Sequence, residues 1–248
     1  MSGHSHFATI KRQKAVNDAA KGNLFSKLAR AIMIAAKGGA DPDMNFKLRV
    51  EIDKARAASM PKENIDRAIA KATTEAANLT EIAYEGFGPG GIGVIINVAT
   101  DNKNRSAQEI KNLFERAGGT MAGPGAVSFN FESKGYILVN KSTDPETQML
   151  TMIDLGVEDV TDSADGIEVY TAPGELGEVR KKFESSGFEI KEIELVMKPK
   201  NFQTIEDAVV AAKALTFLDM VEDQDDVSNV FSNLDIPDET MQKISAGI

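Results

Sequence analysis

The sequence predicts an α+β protein, and three observations carry that expectation. Apolar residues recur at helical spacing through roughly the first 75 residues. From Ile82 the period shortens to the alternation of strands. Residues 134–198 then run strand, helix, strand, strand, helix, strand, the order of a ferredoxin-like unit.

Element by element, the first helix covers 24–37. Leu24, Phe25, Leu28 and Ile32 share one side, and Lys27, Arg30 and Lys37 cluster roughly opposite, as a basic stripe facing water. Gly38-Gly39 ends it. Asp41 followed by Pro42 reads as an N-cap opening a second helix with Met44, Leu48, Ile52 and Ala55 inward. Met60-Pro61 breaks the chain, and Ile65, Ala68, Ile69 and Ala72 mark a third helix. The polar segment 74–80 reads as a hinge. YEGFG and IGVIINVAT are strands joined by a Gly/Pro turn. The segment 104–117 is a helix with Ala107, Ile110, Leu113, Phe114 and Ala117 inward, and AVSFNF is a further strand. In the last strand of the ferredoxin-like unit Ile193, Leu195 and Met197 share a face while Ile190 is out of phase, which predicts a bulge. A short strand (FQTI), a helix over 206–221, a strand near 227–231 and a short C-terminal helix complete the chain.

Charge divides the molecule sharply. Residues 1–75 hold 14 Lys and Arg against 8 Asp and Glu, a net of +6. The remaining residues hold 14 against 30, a net of −16, within a total of −10. A basic head on an acidic body is suited to touch a polyanion at one end only, because the body is repelled from phosphate. There is no Cys, hence no disulfide, no thiolate nucleophile and no thiolate zinc site. The longest apolar stretches are too short to cross a bilayer, and no apolar core follows the N-terminal charges, so the expected location is cytoplasmic, with no membrane partner.

Three stretches carry a resemblance. GHSHFATIKRQKAVNDAAKGNLFSKLARAI, YEGFGPGGIGVIINVATDNKNRSAQEIKNLFERAGG and MAGPGAVSFNFESKG resemble, in order and register, the motifs of the YebC/PmpR family. His6-Phe7 stands where that family has Lys-Trp, and Ala20 where another base is common. The resemblance implies three domains: an N-terminal helical bundle (1–79, including the hinge) and two α/β domains. One of these is discontinuous (80–132 with 203–248); the other, ferredoxin-like (133–202), is inserted in it. It implies a non-enzymatic regulator. Some members of the family resemble DNA-binding transcriptional regulators, others ribosome-associated factors that help translation through proline runs.

The candidate nucleic-acid contacts are Lys11, Arg12, Lys14, Lys21, Lys27, Arg30 and Lys37. Charge runs are usually only solvated faces; here the charge split and the continuing stripe favour phosphate contact, which needs long cations on one face. The partner is DNA or ribosomal RNA, and phosphate contact looks alike on both. The second and third helices could form a helix-turn-helix, but Glu63 and Asp66 on the third oppose base reading. Lys103 and Arg105, in an Asx-rich turn, are possible partner contacts, against a purely N-capping role for that turn. GFGPGGIG leads into a strand rather than a helix, so it is a hairpin turn and not a dinucleotide loop. No Gly-Lys-Ser/Thr is present. A Ser-Gly-His terminus around His4 has a chelate shape, but such tails arise by accident. The acid run Asp219, Glu222, Asp223, Asp225, Asp226 lacks the EF-hand pattern and reads as a solvated helix end. No metal, cofactor, catalytic residue or small-molecule substrate is expected.

Overall fold

The computed structural model describes residues 18–72 and 78–246. Contacts group residues 16–131 with 199–248 in one compact unit, and residues 132–198 fall in the other.

The first unit opens with three helices: α1 (Asp18–Ala36), α2 (Phe46–Ala57) and α3 (Lys62–Lys71). They enclose a core of their own. Ile32, Leu48, Ile52, Ala55, Met60, Ile65 and Ala68 are buried together, with Phe25, Leu28 and Ile69 packed against them. The second helix starts later than the sequence suggests. Asp41 closes a turn, its carbonyl accepting from Asn45 N at 2.8 Å, and Asn45 is the cap, its side chain accepting from Leu48 N at 3.1 Å. Met44, expected inward, belongs to that turn and is 87% exposed. The break before α3 uses Ser59 at φ 62°, and Pro61 precedes the first helical residue.

The α/β part of this unit is a sheet in the order β3-β1-β2-β9, built from β1 (Thr80–Phe87), β2 (Gly93–Thr100), β3 (Thr120–Ala122) and β9 (Val227–Ser232). β1 and β2 form an antiparallel hairpin from Thr80↔Thr100 to Phe87↔Gly93. Its turn needs glycine: Gly90 has φ 76°, and a Cβ there would lie 2.4 Å from Ile205. The dinucleotide-loop reading therefore has no structural counterpart. Helices α4 (Lys103–Arg116) and α7 (Ala208–Glu222) meet through Phe114 and Phe217, ring centroids 5.0 Å apart. Phe114 also lies over Gly86, where a Cβ would come within 2.6 Å of its ring. A two-stranded parallel sheet, β8 (Gln203–Thr204) with β10 (Leu234–Asp235), and helix α8 (Asp238–Ser245) complete the unit.

The second unit contains β4 (Phe131–Val139), α5 (Pro145–Asp154), β5 (Asp159–Ser163), β6 (Gly166–Thr171), α6 (Leu176–Ser185) and β7 (Ile190–Pro199). Its strand order, β5-β6-β4-β7, places the first and third strands at the centre and the second and fourth at the edges, which is the ferredoxin-like arrangement. Two local readings are corrected. AVSFNF is not a strand: Ser128–Asn130 is one 3₁₀ turn, and β4 starts at Phe131. In β7, Leu195 is exposed whereas Glu194 and Val196 are buried beside Ile193, so burial there does not follow simple alternation.

Candidate nucleic-acid interface

Lys11, Arg12 and Lys14, with His4 and His6, lie outside the described residues. Lys21 falls within α1. The other predicted contacts do not form a free stripe. Asn23, Lys27 and Arg30 recur at i, i+4 and i+7, so they line one face of α1, and that face meets the C-terminal end of α7. Asn23 Nδ2 donates to Asp223 O at 3.2 Å, Lys27 Nζ donates to Glu222 O, and Arg30 Nη1 donates to Asp225 O at 2.7 Å. The physical reason is local. The last carbonyls of a helix have no intrahelical partner and carry the negative end of its dipole, which Lys27 meets at Glu222, while Arg30 reaches a carbonyl of the turn just beyond the helix. Lys37 is also engaged, donating to Leu79 O at 2.7 Å, while Lys47 pairs with Glu81 at 3.0 Å. The expectation of a water-facing stripe is thus corrected for Lys27 and Arg30, which are half-buried, whereas Lys37 is exposed.

Asp226 organises this contact. Its Oδ2 accepts from Thr100 Oγ1 at 3.0 Å, Ser106 Oγ at 2.7 Å and Arg105 Nη2 at 2.8 Å. Its Oδ1 accepts from Arg30 Nη1 at 2.8 Å. Burial alone would push the carboxyl pKa up, but donation by Arg105, Ser106 and Thr100 more than reverses this and holds it below the usual aspartate value. The acid run is therefore not merely a solvated helix end. Asp226 was missed because, in sequence, nothing separates it from its exposed neighbours.

The turn 101–105 has the N-capping role. Asn102 caps α4, accepting from Arg105 N at 3.1 Å. The Arg105 side chain spans Asp101 at 3.1 Å and Asp226, and its bond to Asp226 is the chief reason its pKa is raised. Arg105 is an anchor more than a free tip, although half of its side chain meets solvent; Lys103 is exposed. The glycine-rich loop after β3 is tied down in a similar way. Buried Glu85, which no sequence signal marked, accepts from Gly125 N at 2.8 Å, Val127 N at 2.7 Å and Ser128 N at 2.8 Å. Burial opposes its charge, yet these three amides bring its pKa below the ordinary glutamate value.

Elsewhere on the helical domain Lys62 and Arg67 stand exposed on α3, beside exposed Glu63 and Asp66. Among the described residues no group of three or more His, Cys, Asp or Glu is placed to hold a metal ion, and no helix is long and apolar enough to cross a membrane.

These features define a three-domain α+β protein: a helical domain with its own core, held by polar contacts on a discontinuous sheet domain that carries a ferredoxin-like insertion. The chain belongs to the TACO1/YebC family. Residues 5–75 match the family's N-terminal domain and residues 79–234 its second and third domains. A Dictyoglomus turgidum relative, called a "probable transcriptional regulatory protein", is 44% identical over 250 residues, covering 99% of this chain and 100% of that one. A Thermotoga maritima relative with the same description is 44% identical over 249 residues, 98% of each chain. The crystal structure of a conserved hypothetical protein from Aquifex aeolicus superposes with a TM-score of 0.86 at 40% identity, covering 94% of this chain and 98% of that one.

Proposed function

We propose that this protein is a non-enzymatic, cytoplasmic regulator of gene expression that binds nucleic acid through its N-terminal domain, in the leading reading as a DNA-binding transcriptional regulator. The observation that carries the reading is the charge split, +6 in residues 1–75 against −16 beyond them. The names of its relatives support it. Lys11, Arg12, Lys14 and Lys21 make the first contacts, and they contact phosphate rather than bases.

One observation favours a second reading, a ribosome-associated factor acting on proline runs. Exposed Glu63 and Asp66 on α3 make that helix a poor major-groove reader, and backbone recognition suits structured RNA as well as duplex DNA.

Binding isotherms at a series of salt concentrations test the proposal. If about four to six phosphates are neutralised, log K falls with log salt at about −0.9 per contact on duplex DNA. Lys11→Glu with Arg12→Glu and Lys14→Glu abolishes retardation without unfolding the protein. Undiminished binding by that triple variant overturns the assignment. Co-sedimentation with ribosomes beside a DNA shift assay at matched salt separates the two readings.

A further inference from the structure

We propose that residues 222–226 act as a built-in competitor for phosphate, so that α1 is latched against the body and nucleic acid must displace the latch to reach Lys27 and Arg30. The inference rests on the phosphate-binding reading of the N-terminal domain and adds a regulation to it.

The geometry has three parts. First, the side chains committed to the latch are those a phosphate backbone would use. Lys27 meets a carbonyl, and Arg30 meets a carbonyl and a carboxylate oxygen, with Asn23 extending the same face. A carboxylate with neighbouring carbonyl oxygens offers a guanidinium much the same acceptor geometry as a phosphate does. Second, the receptor is prepared without α1. Three donors from the body saturate Oδ2 of Asp226 and fix its orientation, leaving Oδ1 for Arg30. Third, the latch can open without unmaking a hydrophobic core. The apolar cluster of the helical domain is drawn from residues 32–72 with Phe25, Leu28 and Ala29, all within that domain. Among the described residues, the side-chain bonds joining it to the α/β part include ion pairs and hydrogen bonds at residues 222–226 and at Glu81. Such contacts are screened by salt, and a polyanion can replace them. Closed, the latch withholds two cations from nucleic acid; open, it adds them to those of the N-terminal arm.

Asp226→Asn removes the charge facing Arg30, keeps an acceptor for Ser106 and Thr100, and is expected to tighten binding. Because Asp226 also supports the body, a second variant carries the decisive comparison. The chain has no cysteine, so Asn23→Cys with Asp223→Cys provides two unique thiols across the latch. The full-length double variant is either cross-linked by a short bis-maleimide or capped at each thiol with N-ethylmaleimide. Binding to a duplex DNA and to a structured RNA is then measured over a salt series. The cross-linked form is expected to bind about tenfold more weakly at low salt, with a slope shallower by about 1.8, the contribution of two phosphate contacts. Equal affinity and equal slope for the two forms overturn the latch while leaving nucleic-acid binding in place. Binding by neither form, or by the unmodified protein, overturns the phosphate-binding reading and the latch with it.

Discussion

Asp226, at the head of the first unit's last long strand, and Glu168, in the middle of β6 in the inserted domain, are 7% and 2% exposed. The first is held below the usual aspartate value in spite of its burial, whereas burial pushes the second up to about 7. The difference lies in the donors. Asp226 collects two hydroxyls and two guanidinium groups from α1, β2 and α4. Glu168 is flanked across the sheet by Thr161 and Leu138, receives Tyr170 Oη at 3.1 Å on Oε2, and has no partner at Oε1. Desolvation therefore dominates, and the Tyr170 and Ser163 hydroxyls and the charge of Lys198 only moderate it. Acids of similar burial can serve as a charged hub or as a core residue about half protonated at neutral pH, according to the number of hydrogens aimed at them.

Removing the hub has the largest expected effect. Asp226→Ala takes the shared acceptor from buried Ser106 and Thr100 and from two guanidinium groups, which keep Asp225 O and Asp101, at a cost of about 3 kcal/mol. Because the folded pKa lies below the unfolded one, the carboxylate stabilises the protein above about pH 4 and ceases to do so as pH falls through the folded pKa. Denaturant unfolding of the variant should show a deficit at pH 7 that shrinks in acid. A deficit independent of pH would mean that shape, not charge, is what Asp226 supplies.

For Glu168 the sign is opposite. Its folded pKa lies above the unfolded value, so stability is highest below about pH 4.5 and declines as pH rises toward 7. Glu168→Gln should accordingly stabilise the inserted domain by on the order of 2 kcal/mol at pH 8 and by almost nothing at pH 4.5. Thermal melts at the two pH values check this, and a variant destabilised at pH 8 would show that hydrogen-bond donors stabilise the ionised form.

Glu85 belongs with Asp226 and sharpens the rule at smaller scale. Glu85→Gln keeps an acceptor but loses charge-assisted bonds to Gly125, Val127 and Ser128, at about 1 kcal/mol. Amide hydrogen exchange should quicken at those three residues more than elsewhere in the sheet.

Much of the fold could be read in the residues because local rules agreed with tertiary ones. The 3.6-residue periodicity of Ile110, Leu113 and Phe114, the two strands on either side of the GPGG turn and the βαββαβ order all reappear in the structure. The misses came where capping or long-range contact decided. Asn45 outcompeted Asp41 as the cap, and Glu85 and Asp226 were drawn inward by donors far away in sequence. The basic stripe had the expected spacing, but spacing cannot reveal that carbonyls at and just beyond the end of α7 meet it.

The insertion sets an order of events during synthesis. β4 and β7, the first and last strands of the inserted domain, are neighbours in its sheet, and the chain on either side is joined by Lys200 N donating to Asn130 O at 2.7 Å and by Asn130 bonded to Asn201. A ribosome therefore releases a complete ferredoxin-like domain while β2 still lacks β9, whose partners Val94–Val98 were made far earlier. Asp226 emerges just ahead of β9, so the seat for Arg30 is among the last features built, and α1 must wait for it through most of translation.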